Sequence, residues 1–219
     1  MANGINLQWN LRRARGESYE FEFHRGILPK PKKDGMVRLL AYTNHGNMGI
    51  YRDAINRYLE GKAPKPDITN HPLWTTLKYG FGVNLEQALT PNVTAYGRFG
   101  LNNGKTESWA YTEIDQTFSG GFAVNGRKWA RNQDRFRMAF TSNGLSGDHR
   151  TYLALGGLGF IIADGALNYG RERFLENYYT LHLWRGLYVA PDLQYIANPP
   201  YNRDRGPALV PAFRLHIEL

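Results

Sequence analysis

The sequence predicts an all-β fold, and more specifically a transmembrane, antiparallel, up-and-down β-barrel. Segments in which apolar and polar residues alternate with a period of two recur about ten times along the chain. Apolar stretches of roughly 18 residues or more, which a membrane-spanning helix requires, are absent. Compact connections alternate with long ones, as in outer-membrane barrels, where short periplasmic turns alternate with long external loops.

The last predicted strand shows the alternation most clearly. Between residues 213 and 219, apolar residues alternate with Arg214, His216 and Glu218. One face of this strand is therefore apolar and the other is ionisable. In a soluble sheet the apolar face would join the core, whereas in a barrel it would face lipid and the ionisable face would enclose water. The pattern alone fits either arrangement.

Nine earlier segments repeat this alternation. They cover residues 5–12, 19–24, 37–41, 79–86, 93–101, 118–124, 136–140, 175–183 and 187–195. The links at 43–76 and 143–173 exceed the roughly 15 residues usual in a compact sandwich. We therefore predict one barrel domain over 1–219 with long external loops at 43–76 and 143–173, and an amphipathic helix at 50–59 within the first loop. The link at 13–17 is short where a long one is expected.

Aromatic residues near the predicted strand ends suit the girdles that such barrels carry at the two membrane interfaces. These residues are Trp9, Tyr19, Trp74, Tyr79, Trp109, Trp129, Trp184 and Tyr188.

Charge and motif content exclude several classes of protein. The 27 Lys and Arg residues outnumber the 19 Asp and Glu residues and give a net charge of +8. The basic residues are scattered, and the one dense group, Lys30, Lys32 and Lys33, predicts a solvated turn, so nucleic acid is not the expected partner. The chain has no cysteine, and it lacks G-x-S-x-G, H-E-x-x-H and phosphate-loop motifs. We expect no enzymatic activity, no cofactor and no metal.

The side chains predicted to face a barrel lumen combine both signs of charge with tyrosines. Arg and carboxylate groups offer donors and acceptors to hydroxyls, and a tyrosine ring suits the apolar face of a sugar. The alternative is that these groups only brace the wall or decorate a soluble surface. The predicted set is Arg12, Arg38, Glu86, Tyr96, Arg98, Glu113, Asp115, Arg137, Glu176, Tyr178, Asp192 and Arg214.

Several longer runs of sequence resemble a known family. They include Tyr79-Gly-Phe-Gly-Val-Asn-Leu-Glu-Gln-Ala-Leu-Thr, Arg98-Phe-Gly-Leu-Asn-Asn-Gly, Asn143-Gly-Leu-Ser, and Asp192-Leu-Gln-Tyr-Ile-Ala-Asn-Pro-Pro-Tyr-Asn-Arg-Asp-Arg-Gly-Pro. With these runs, nearly the whole chain resembles the C-terminal part of the carbohydrate-selective porin family OprB. The resemblance implies a bacterial outer-membrane channel, surrounded by lipid, through which small carbohydrates diffuse.

The resemblance also implies a longer protein. The family's barrel has about sixteen strands, with a leader and an N-terminal half that this chain is expected to lack. The sequence does not determine the oligomeric state, and a homo-oligomer is one of the possibilities. Two alternative functions also stay open: a general or anion-preferring porin, which the net charge favours, and a soluble all-β binding module.

Overall fold

The computed structural model describes residues 10–24, 35–72, 74–108, 113–159, 162 and 167–218. Within these ranges, nine strands form one antiparallel sheet in which each strand pairs with the next along the chain, which confirms the predicted all-β, up-and-down fold. The strands are β1 (Arg15–Phe23), β2 (Gly35–Gly46), β3 (Thr76–Thr90), β4 (Val93–Asn102), β5 (Gln116–Asn125), β6 (Arg135–Gly144), β7 (Glu172–Trp184), β8 (Leu187–Ala197) and β9 (Ala208–Ile217).

The sheet formed by the described residues is open, because β1 and β9 lie at its two edges. Most of the first predicted strand, residues 5–9, lies outside the described residues. The prediction that this strand extends to Arg12 is wrong, since residues 11–13 form a turn in which the amides of Arg13 and Ala14 donate to the carbonyl of Asn10. A local turn therefore replaces the alternation at this point.

One face of the sheet is apolar and exposed. A single register row runs across five strands through Phe21, Leu39, Val83, Phe99 and Phe118. Residues opposite each other share a face, so the alternation in each strand adds up to one continuous surface. All of these side chains except Val83 are among the exposed large apolar residues. Apolar patches of this extent mark a surface that meets lipid or a partner.

The connections differ strongly between the two ends of the sheet. At one end, here called the long-loop end, the links cover 47–75, 103–115, 145–171 and 198–207. At the opposite, short-turn end, the links at 91–92, 126–134 and 185–186 are compact. The sequence did not single out the link at 103–115 as a long one, and this link proves to be central to the loop packing.

The buried apolar cluster lies among the long loops and not on the sheet. The helix predicted at 50–59 is confirmed as α1 (Tyr51–Leu59), whose buried residues Tyr51, Ala54 and Ile55 have the spacing of one helical face. Helix α2 (Gly147–Ala154) begins where the Ser146 side chain accepts a hydrogen bond from the His149 amide. Among the described residues, neither helix is long and apolar enough to cross a membrane.

Candidate functional site

Nine of the twelve predicted site residues lie in strands and share the face of the sheet opposite the apolar one. Arg38 pairs in register with Asn84, which pairs with Arg98. Because side chains two residues apart in a strand share a face, Glu86 and Tyr96 join the same surface. We call this surface the polar face. Its predicted members are Arg38, Glu86, Tyr96, Arg98, Arg137, Glu176, Tyr178, Asp192 and Arg214.

A charged cluster crosses strands β6 to β9 on this face. Arg214 donates to Glu176, with Nη2 2.5 Å from Oε1, and also donates to Asp192. The guanidinium carbon of Arg214 lies 4.7 Å from the ring centroid of Tyr178, and that of Arg137 lies 5.4 Å from the same centroid. Cation–π attraction therefore holds two guanidinium groups over one ring. Tyr178, whose ring the sequence predicted to lie against a sugar, is thus in contact with two cations.

A second charged group lies on β1 to β4. Arg38 donates to Glu22 and has Glu20 3.9 Å away. On β4, the Arg98 guanidinium carbon lies 5.4 Å from the centroid of the Tyr96 ring. Both groups place polar N–H donors and carboxylate acceptors side by side on one surface. The sequence predicted this mixture of charges on one face, and the register between consecutive strands places the groups side by side.

Two grooves open on the polar face. One, of about 520 Å³, is lined by residues that include Arg137, Tyr178 and Arg214. The other, of about 600 Å³, is lined by residues that include Arg38 and Arg98. Both volumes are in the range of roughly 300–1,000 Å³ found for small-ligand sites. The surface therefore has room for a small polar solute.

The described parts of loop 103–115, residues 103–108 and 113–115, lie against the polar face at the long-loop end. Lys78 of β3 is buried beneath them, with Nζ 3.3 Å from the Thr106 carbonyl and 3.2 Å from the Ser108 hydroxyl. Asp115 also lines the second groove. Residues 106, 108 and 115 of the loop therefore contact or border the charged side of the sheet.

Glu113 and Asp115 occupy this loop and are buried, although they were predicted beside open lumen residues. Asp115 Oδ2 lies 2.9 Å from His149 Nδ1 and accepts from the Ser146 amide at 2.8 Å. Burial alone would raise the pKa of Asp115, but the hydrogen bond with His149 and its charge, together with the Ser146 amide and the charge of Lys78, lower the pKa. Arg12 lies in the turn before β1, apart from the strand residues.

The loop network as a whole was missed by sequence reasoning. His149 Nε2 lies 3.1 Å from the Tyr51 hydroxyl, and the two rings stack with centroids 4.2 Å apart. Burial, followed by the charges of Asp115 and Glu113, raises the pKa of Tyr51 well above its usual value. Through its contacts with Tyr51 and Asp115, His149 joins three long loops. The sequence offers no indication of these contacts, because His149 is an isolated histidine outside any motif.

A comparison with known families bears on this arrangement. The sequence profile described as carbohydrate-selective porin, OprB family, matches residues 2–219. The chain belongs to the OprB family. Membership in this family places the chain among the porins of the bacterial outer membrane. The described strands and loops can thus be compared with a solved OprB structure.

The solved high-pH structure of Pseudomonas putida OprB shares the fold, with a TM-score of 0.73 at 20% sequence identity. The alignment covers 99% of this chain and 51% of the P. putida chain. This chain thus spans about half the length of that relative. A search among curated proteins found no match.

Proposed function

We propose that this OprB-family chain forms the wall and the mouth of a water-filled outer-membrane pore, and that small carbohydrates diffuse passively through this pore. The supporting observation is the division of the sheet into an exposed apolar face and a face that carries both signs of charge. In a membrane, the first surface contacts hydrocarbon and the second contacts water. A soluble module is disfavoured, since nothing in the described residues covers the apolar face.

The polar face supplies a reason for carbohydrate passage. Arg214 and Glu176 present a fixed donor and a fixed acceptor, and Gln194 Nε2 lies 3.4 Å from Glu176 Oε1. Sugar hydroxyls can exchange hydrogen bonds along such a surface without a deep energy minimum. Conduction requires binding that favours entry and still permits release.

Pore closure requires more strands than the nine described. The outer edges of β1 and β9 would otherwise present unpaired backbone groups to lipid, at a cost of several kcal/mol for each group. The proposal therefore includes further strands that pair with both edges. It also places the loops at 43–76 and 143–173 on the external side and the short turns on the periplasmic side, within one porin domain.

A general or anion-preferring porin is the second candidate. Among the described residues, Arg137 has no carboxylate within ion-pair distance; its polar contact is the Thr180 hydroxyl at 3.4 Å. Together with the net charge of +8, this uncompensated cation favours anions near the β6 strand.

Planar-bilayer conductance with glucose competition tests the proposal. Glucose should lower the ion current in a concentration-dependent way, and liposomes that contain the protein should swell in glucose faster than in a larger oligosaccharide. A current that ignores glucose, together with a reversal potential set by chloride, would favour the second candidate. A chain that conducts no ions and stays soluble without detergent would contradict both.

A further inference from the structure

The short-turn end of the sheet carries basic side chains next to aromatic ones. Arg127, Lys128 and Arg131 are exposed in the link between β5 and β6, and Arg185 is exposed in the link between β7 and β8. Residues 126–135 contain four basic residues and one acid, Asp134. We use the name rim cluster for the four exposed cations of these two links and their neighbouring tryptophans: Arg127, Lys128, Arg131, Arg185, Trp129 and Trp184.

The acid of this region is buried and bound internally. Asp134 is 1% exposed and accepts hydrogen bonds from Arg131, from the Tyr179 hydroxyl at 2.9 Å and from the His182 amide at 2.9 Å. Arg131 also donates to the His182 carbonyl at 3.0 Å, which fixes one turn against the other. Asp134 therefore holds the rim together, and among the residues that the structure describes Arg127, Lys128 and Arg185 form no ion pair.

The two tryptophans lie at the margin of the apolar face. Trp129 Nε1 donates to the Tyr179 hydroxyl at 2.6 Å, and Tyr179 is opposite Phe136 in register. A register shift after His182 places Trp184 opposite Leu187, an apolar-face residue. The guanidinium carbon of Arg185 lies 5.8 Å from the Trp184 ring centroid. Cations and indoles thus meet where the apolar surface ends.

We propose that the rim cluster binds the headgroup of an anionic phospholipid of the surrounding bilayer. The inference rests on the membrane placement of the proposed function. Tryptophan favours the membrane interface, and long basic side chains keep their stems in apolar surroundings while their charges reach the phosphate. The turn at 91–92 on the same end carries no charge. The proposal therefore concerns the part of the rim formed by β5 to β8; the link between β1 and β2 at the same end also contains basic residues, Lys30, Lys32 and Lys33.

Lipid counting on the full chain, extracted in detergent from outer membranes, tests the proposal. The protein receives phosphatidylglycerol or phosphatidylcholine in equal amounts, and native mass spectrometry counts the bound lipids. We expect phosphatidylglycerol to be retained preferentially. The variant Arg127→Gln/Lys128→Gln/Arg185→Gln should weaken its retention by about fivefold for each removed charge. The charge-retaining variant Arg127→Lys/Arg185→Lys should bind like the unmodified protein.

The matched control removes three exposed charges from the long-loop end, as Lys62→Gln/Lys65→Gln/Lys105→Gln. An equal loss of phosphatidylglycerol in this control would overturn the inference, because net charge and not the rim would then be responsible. Equal retention of the two lipids by the unmodified protein would overturn it too, while leaving the membrane placement intact. A chain that stays soluble without detergent and binds neither lipid would instead contradict the proposed function.

Discussion

Arg214 of β9 reaches across β8 to Glu176 of β7, with Nη2 2.5 Å from Oε1, and it also donates to Asp192 on the strand between them. The Arg214 side chain is 49% exposed, whereas the Asp192 side chain is fully buried. One cation thus compensates a buried carboxylate and still presents part of its guanidinium to the polar face. Arg214 therefore neutralises a buried carboxylate within the sheet and also offers hydrogen-bond donors on the polar face.

Removal of this cation should destabilise the wall. Arg214→Gln leaves the Asp192 carboxylate buried without its charged partner, and we expect a loss of about 1–2 kcal/mol, reduced from the usual cost of breaking a buried pair because Arg214 is half exposed. In an Asp192→Asn background the same substitution should cost much less. Thermal unfolding of the four proteins in detergent measures the coupling. Equal costs in both backgrounds would show that the pair is not coupled.

Arg137 should influence which ions pass. Because it has no carboxylate partner among the described residues, Arg137→Gln removes an uncompensated positive charge from the polar face. The reversal potential in a salt gradient should shift toward cation preference, and glucose should block the current less effectively. Lys62→Gln, which removes an exposed charge paired to Glu60 at 2.7 Å, is the control. Identical shifts in both variants would argue against a role for Arg137 within the pore.

The loop network should respond to loss of its central histidine. His149→Phe keeps a ring stacked on Tyr51 but removes the hydrogen bonds to Asp115 and to the Tyr51 hydroxyl. Leaving these buried groups unsatisfied should cost the loop packing about 2 kcal/mol. We expect faster proteolysis and hydrogen exchange in the long loops, with the strands unchanged. Arg52→Gln, which breaks only the exposed pair with Asp148, should have little effect; equal exposure of the loops in both variants would contradict the assigned role.

The sheet was predictable from sequence, whereas the loop packing was not. In β9, each side chain's face follows from a period of two, so the position of Arg214 could be derived locally. Asp115 and His149 are 34 residues apart, and no periodicity connects two loops whose conformations depend on their mutual packing. Glu113 and Asp115 were therefore identified as charged residues of interest but assigned to an open surface. Arg12 was assigned to a strand because it continues an alternating pattern, but a local turn replaces the strand at this position.

Alkaline pH should loosen the loop cluster. Burial raises the pKa of Tyr152 to about 12, compared with about 10 in an unfolded chain. Because the folded value is higher, the neutral hydroxyl contributes its full stabilisation below about pH 10 and loses it as the pH rises toward 12. Its hydroxyl donates to the Leu158 carbonyl at 2.9 Å, a bond that requires the proton.

Near-ultraviolet circular dichroism across this pH range measures the loss of loop packing. The unmodified protein should lose signal steeply between about pH 10 and 12. Tyr152→Phe has no proton to release there and should show a shallower loss. A residual slope is expected, because burial also raises the pKa of Tyr51 and Tyr201. Equal steepness in the two proteins would exclude Tyr152 as a contributor.

Leu215 and His216 provide a direct test of which face meets lipid. They are adjacent in β9, so their side chains point to opposite sides of the sheet; Leu215 pairs with Val189 and His216 with Tyr188. The chain has no cysteine, so Leu215→Cys and His216→Cys each carry a single spin label. In lipid vesicles, the label at 215 should collide mainly with oxygen and the label at 216 mainly with a water-soluble nickel complex. Reversed or equal accessibilities would mean that the charged face does not enclose water, and the pore proposal would fail with it.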